Sequence, residues 1–106
     1  MRSARLTLCG HTHVPLVFKL SDGSRLAAFE PTAGAAVPCR DGRMLAVIGA
    51  VGQPRDQNPD ACYALHDDAA GTLTYVRVPY DIDAAAKKIR AAGLPAMLAA
   101  RLAFGQ

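Results

Sequence analysis

Two histidines one residue apart, His11 and His13 within Leu8-Cys9-Gly10-His11-Thr12-His13-Val14-Pro15, are the side chains of this sequence best suited to chemistry. In extended backbone, residues i and i+2 share one face with Cα atoms roughly 6.5–7 Å apart. Imidazoles so spaced can converge on one metal ion or serve two neighbouring ions about 3.5–4 Å apart. Gly10 is expected to allow a sharp exit from the preceding apolar run and so aim the pair outward. By itself a His-x-His pair is a weak signal, because transition-metal sites need three or more converging ligands. Surface or hydrogen-bonded histidines are the alternative reading. Arg55 sits in a Gly- and Pro-bounded loop, where its guanidinium can take a substrate phosphate, pair with Asp56 or Asp60, or face water. Cys9 lies beside His11, but nothing basic precedes it, and it reads as a buried strand-end thiol. His66, ahead of Asp67-Asp68, reads as a solvated turn residue. Gly49-Ala50-Val51-Gly52 lacks the Lys-Ser/Thr of a phosphate-binding loop and reads as a turn or strand end.

The elements that must position these residues follow from pattern. Short apolar and β-branched runs divided by turn signals fill the first two-thirds of the chain, and helical spacing takes over in the last quarter. Strands are predicted at 5–9, 16–20 and 25–29, the last two joined through Ser21-Asp22-Gly23-Ser24, a hairpin signal. A second Asp-Gly, Asp41-Gly42, divides the segment around Val37 from 44–48 and predicts another hairpin. Residues 49–60 read as a loop. Segments 62–65 and 73–78 are expected to pair across 67–71. Asp81 can cap a helix whose apolar positions Ile82, Ala85, Ala86 and Ile89 follow helical spacing. Gly93 is placed to end it, and Pro95 suits the first turn of a second helix over roughly 96–104.

Composition bounds the function classes. A chain of 106 residues, 51% hydrophobic and 20% charged, fits one globular domain and excludes both disorder and a multidomain enzyme. The net charge of +3 comes from scattered basic residues whose one adjacent pair is Lys87-Lys88, so no nucleic-acid partner is predicted. No apolar run approaches the roughly 20 residues of a spanning helix, and no signal peptide is read at the start, so a cytoplasmic chain without a membrane partner is expected. Cys9, Cys39 and Cys62 are too far apart for a CxxC unit and read as buried free thiols.

The wording around the histidines adds a resemblance. Cys-Gly-His-Thr-His-Val-Pro resembles the Gly-His-x-His motif of the calcineurin-like metallophosphoesterases. Val51-Gly52-Gln53-Pro54-Arg55-Asp56 with Asn58-Pro59-Asp60-Ala61 and Tyr63 is similar to the loop and strand that follow in bacterial members. Arg77-Val78-Pro79-Tyr80-Asp81-Ile82 leading to Ala92-Gly93-Leu94-Pro95 resembles their closing strand and helix. These matches run in the family's order from Leu6 to Leu102.

The resemblance implies an α+β fold: the C-terminal portion of a β-sandwich flanked by helices, with mostly antiparallel strands followed by two C-terminal helices. Residues 1–106 are expected to form a single partial domain of that kind. It implies a metal-dependent phosphoesterase with a dinuclear centre of divalent ions, Mn, Fe or Zn, in which His11 ligates the second metal and His13 the first. A metal-activated hydroxide would attack phosphorus in line, and Arg55 would bind the substrate phosphate. The family's other ligand motifs, Asp-x-His, Gly-Asp, Gly-Asn-His-Asp/Glu and a further lone His, precede Gly-His-x-His and do not occur here. Val47-Ile48-Gly49-Ala50 also stands where bacterial members carry Asn-Pro-Gly-Ser. The chain is therefore expected to be inactive alone and to act on phosphate esters when completed by an N-terminal half. The alternative is a non-catalytic remnant, a small β-rich binding or oligomerising module. A missing first layer should leave an apolar sheet face uncovered and favour a homo-oligomer.

Overall fold

A computed structural model describes residues 5–21, 25–40 and 42–106 of the chain. Its strands are β1 (Leu6–Cys9), β2 (Leu16–Leu20), β3 (Leu26–Phe29), β4 (Ala36–Pro38), β5 (Arg43–Val47), β6 (Ala61–Asp67) and β7 (Thr72–Val78). They form a four-stranded sheet in the order β1-β5-β2-β3 and a three-stranded sheet in the order β4-β7-β6. All pairings are antiparallel except β1 with β5, which is parallel. Helices α1 (Ile82–Ala91) and α2 (Ala96–Ala100) follow, with a 3-10 turn over Arg101–Phe104. This is the predicted order of strands first and helices last.

Alternation along the strands decides which face is buried. Val17, Met44 and Ala46 point inward from the larger sheet and meet Val37, Cys39, Cys62, Leu73 and Tyr75, mostly from the smaller one. Tyr75 is the largest fully buried side chain. Its hydroxyl donates to the carbonyl of Val47 at 2.7 Å, tying the smaller sheet to the end of β5. Burial pushes the Tyr75 phenol up to about 12, and negative charge on Cys62 and Cys9 adds to the effect. The opposite face of the larger sheet presents Leu26, Leu45 and Phe18, of which Leu26 is 67% exposed. Among the described residues nothing covers this largely apolar face, the exposure that the resemblance leads one to expect.

Two expectations are corrected. β4 and β5 do not form a hairpin: β4 pairs with β7 and β5 pairs with β1 and β2, so the chain crosses from one sheet to the other between them. Asp-Gly signals a tight reversal, and a reversal serves a change of layer as well as a hairpin. Asp41 itself, like Asp22, Gly23 and Ser24 of the first hairpin signal, lies outside the described residues. β2 and β3 do pair antiparallel, in register from Val17 opposite Phe29 to Leu20 opposite Leu26. The second correction is Cys9, which is exposed, whereas Cys39 and Cys62 are buried free thiols as expected.

The helices follow their caps. The Asp81 carboxylate accepts from the N–H of Ala84 at 3.0 Å. Gly93, at φ 76°, ends α1 with its N–H on the Arg90 carbonyl and that of Leu94 on Ile89, the paired bonds of a Schellman cap. Pro95 is the residue before α2 rather than part of its first turn. No helix among the described residues is long and apolar enough to cross a membrane. The helices pack on each other and on the 3-10 turn rather than on the strands, and the described residues measure 51 × 23 × 23 Å. Its radius of gyration is 16.2 Å, against about 13 Å for a compact domain of this length.

Candidate functional site

Register places the histidines. Cys9 at the end of β1 and Leu16 at the start of β2 both lie opposite Val47 of β5. Residues 10–15 therefore arch over the C-terminal end of β5, at the C-terminal ends of the parallel pair. The arch spans two strand spacings, roughly 9–10 Å, and six residues could reach about 20 Å if extended. The segment must coil, and it is not extended as the sequence reading has it: His11 has φ 86° and His13 φ 63°. Left-handed backbone in residues other than glycine carries a cost of order 1 kcal/mol and persists when surroundings hold it. Gly10 is not the residue that makes the bend, for its φ is not positive and a Cβ there would meet nothing within 4 Å.

What holds the arch is the 49–60 loop. The Arg55 N–H donates to the His13 carbonyl at 3.0 Å, and the His13 ring nitrogen Nδ1 lies 2.8 Å from the Gln53 carbonyl. A carbonyl only accepts, so Nδ1 carries a proton, and in the neutral ring the lone pair is on Nε2. Thr12 closes the arch locally, its Oγ1 accepting from the Val14 N–H at 3.3 Å. His13 is half-buried and His11 exposed.

The loop lacks regular structure yet is fixed along its length. Arg77 of β7 forms an ion pair with Asp56 and donates to the Asp60 carbonyl at 2.7 Å. Asn58 Oδ1 accepts from the Asp60 N–H at 3.0 Å, and the Gln57 N–H donates to the Gly105 carbonyl at 2.9 Å. Gly49, at φ 95°, lets the loop leave β5 against Cys62 and Pro15, each of which a Cβ would meet at 3.3 Å. Val47 and Ile48 enter this region through their carbonyls: Val47 accepts from Tyr75 and Ile48 from the Cys62 thiol at 3.2 Å. Burial pushes the Cys62 thiol up; positive Arg77 opposes and negative Asp56 reinforces that shift. Beside the loop is a cleft of about 160 Å³ lined in part by Pro15, Glu30, Asp56, Asn58 and Arg77.

The structure thus joins Arg55 to His13 through the backbone, while His11 is exposed on the same arch and makes no hydrogen bond among those of the described residues. Arg55 is exposed next to the arch, and its Nη2 donates to Gln53 Oε1 at 2.8 Å. Asp56, one partner the sequence offers Arg55, is taken by Arg77. His66 stands exposed within β6 and joins no ligand group. Among the described residues there is no cluster of three or more His, Cys, Asp or Glu able to hold a metal. The donors present suit a divalent transition metal in kind, being imidazole with one ring nitrogen already hydrogen-bonded, and fall short of it in number. Gln53, Arg77 and Gly105 escaped the sequence reading. Gln53 meets the His13 ring through its backbone carbonyl, Arg77 lies in a strand distant in sequence, and Gly105 carries no side chain to signal a role.

The chain matches no protein-family model. It is 37% identical over 101 residues to an uncharacterized protein of Methanocaldococcus jannaschii, which covers 95% of this chain and 40% of that protein. Its fold superposes on the crystal structure of a metallophosphoesterase from Sphaerobacter thermophilus with a TM-score of 0.91 and 40% identity. That match covers 99% of this chain and 44% of the other. The chain therefore spans about two fifths of the length of both relatives.

Proposed function

We propose that this chain, which belongs to the metallophosphoesterase family, contributes His11 and His13 to the metal centre of a phosphate-ester hydrolase whose other ligands lie in polypeptide outside these 106 residues. The observation that carries the reading is the His13 ring, whose Nδ1 is 2.8 Å from a backbone carbonyl. Metal-binding histidines almost always engage their second nitrogen in this way, which fixes the tautomer and raises ligand basicity. A dinuclear centre of divalent Mn, Fe or Zn, when bound, supplies a water of lowered pKa and neutralises charge on the phosphoryl oxygens. His11 and His13 hold it; Arg55, braced by Gln53, orients the substrate phosphate with its guanidinium. The class of substrate is phosphate mono- or diesters, and a reducing, cytoplasmic setting suits the three free cysteines.

Titration of the chain with Zn²⁺ by calorimetry tests the ligand assignment. Weak binding that His13→Ala abolishes is expected, and equal binding by both proteins would remove His13 from the site. Hydrolysis of bis-p-nitrophenyl phosphate by the chain alone is expected to stay at background in Mn²⁺. Turnover abolished by His13→Ala would show instead that no outside ligand is needed. A second reading, a non-catalytic module that self-associates, is favoured by the uncovered apolar face bearing Leu26 and Leu45.

A further inference from the structure

We propose that Arg77 and Gly105 are positioning residues for His13: they clamp the 53–60 loop so that the Gln53 carbonyl selects the Nδ1-protonated tautomer of the neutral ring and leaves its lone pair on Nε2. The proposal deepens the reading of His13 as a ligand, although it concerns the state of the ring and stands without a bound metal.

The argument is one of constraint. Gln53 and His13 are 40 residues apart, and the 2.8 Å contact between them depends on where an irregular loop carries one carbonyl. Loops without a hydrogen-bonded ladder are the mobile parts of most folds. This one is fastened at three points. At its start, the Arg55 N–H meets the His13 carbonyl at 3.0 Å. In its middle, Arg77, whose side chain is 12% exposed, grips the Asp56 carboxylate with one guanidinium nitrogen and the Asp60 carbonyl with another, the latter at 2.7 Å. A guanidinium spans two acceptors in fixed geometry, and a lysine ammonium does not. On its far side, the Gly105 carbonyl takes the Gln57 N–H at 2.9 Å. Gln57 itself has φ 66°, an unfavourable backbone state that this bond helps to hold.

Gly105 is suited to that contact in two ways. Its own φ is 65°, and a Cβ there would fall 2.6 Å from the Asn58 backbone nitrogen and 2.8 Å from its carbonyl carbon. Only glycine can bring the end of the 3-10 turn so close to the loop. Arg101 closes this end, donating from Nε to the Gln106 carbonyl at 2.6 Å. The helical pair thereby touches the histidine arch through the loop, at two removes.

The test is ¹⁵N NMR of the full chain labelled at histidine, with no metal present, at a pH where the rings are neutral. Wild-type His13 is expected to show one tautomer, protonated at Nδ1. In Gly105→Ala and in Arg77→Lys, its two ring nitrogen signals should move toward the average of both tautomers, while His11, His66 and the backbone signals of the sheets stay in place. A merely structural role would leave the tautomer untouched or shift the sheet signals with it. A His13 that stays fully protonated at Nδ1 in both folded variants, or is protonated at Nε2 in the wild type, overturns the proposal. If Arg77→Lys does not fold, Gly105→Ala decides alone. Zn²⁺ affinity, where measurable, should fall about 10–100-fold in the same variants. Tautomer mixing in proteins that bind no Zn²⁺ would leave the positioning role standing and remove the ligand reading.

Discussion

The 49–60 loop and strand β3 invert the usual relation between regularity and order. The loop has no repeating hydrogen-bond pattern, yet Pro54 is buried, Gln53, Asp56, Asn58 and Asp60 are half-buried, and His13, Arg77 and Gly105 fasten it. β3 has ideal pairing to β2, yet each of Leu26, Ala27, Ala28 and Phe29 is exposed and its other edge carries no strand among the described residues. The first region is held by specific polar contacts that fix single atoms. The second has a satisfied ladder on one side and apolar surface with nothing to bury it. A ladder orders the backbone of this sheet; the polar contacts order the candidate site.

The sharpest way to break that contrast is to remove the loop's central fastening. Arg77→Met strands the Asp56 carboxylate and the Asp60 carbonyl in a mostly buried place, and urea unfolding should show a loss of about 3–5 kcal/mol. A loss below about 1 kcal/mol would mean that the loop is held by its ends. Tyr75→Phe is expected to be the milder change, about 1–2 kcal/mol, because it leaves the buried Val47 carbonyl without its donor. Its pH dependence carries a sign. With the folded phenol pushed up to about 12 from its ordinary 10.0, the unfolded chain ionises first, so wild-type stability falls as pH rises between those values. Tyr75→Phe should flatten that part of the stability curve, as monitored by circular dichroism. Smallest in stability is Leu26→Lys with Leu45→Lys on the uncovered face, within about 0.5 kcal/mol per site. Light scattering should nevertheless separate the two proteins. The wild type is expected to associate with rising concentration and the double variant to stay monomeric. A wild type that remains monomeric would mean that this face does not drive self-association in the isolated chain.

Much of the fold was legible because its signals are local. Leu16–Leu20 was bounded correctly by its apolar run, and α1 by Asp81 at one end and Gly93 at the other. The pairing of β6 with β7 followed from two runs and one turn. What the sequence could not give were relations between distant residues. Asp41-Gly42 marks a bend but not which sheet each flank joins. The histidine arch looked extended because alternation reports side-chain spacing; the left-handed backbone at His11 and His13 is imposed by the need to cross β5 in six residues. Cys9 looked buried by type and is exposed by place, at the end of an edge strand. Of the candidate site, both histidines and Arg55 could be named from residue type and from resemblance, while the carbonyl of Gln53 carried no signal in a one-letter code.

The arch over β5 also sets a timetable. β5 lies between β1 and β2 in the sheet but is made after both, so the ribosome delivers the two histidines before the strand they must straddle. The carbonyl that fixes the His13 ring follows 40 residues behind it, an interval of roughly 2–8 s at ordinary rates of synthesis. Until then both ring nitrogens are open to water and exchange their proton. In the nascent chain the imidazoles come first, and the contact that selects the tautomer of one of them comes later.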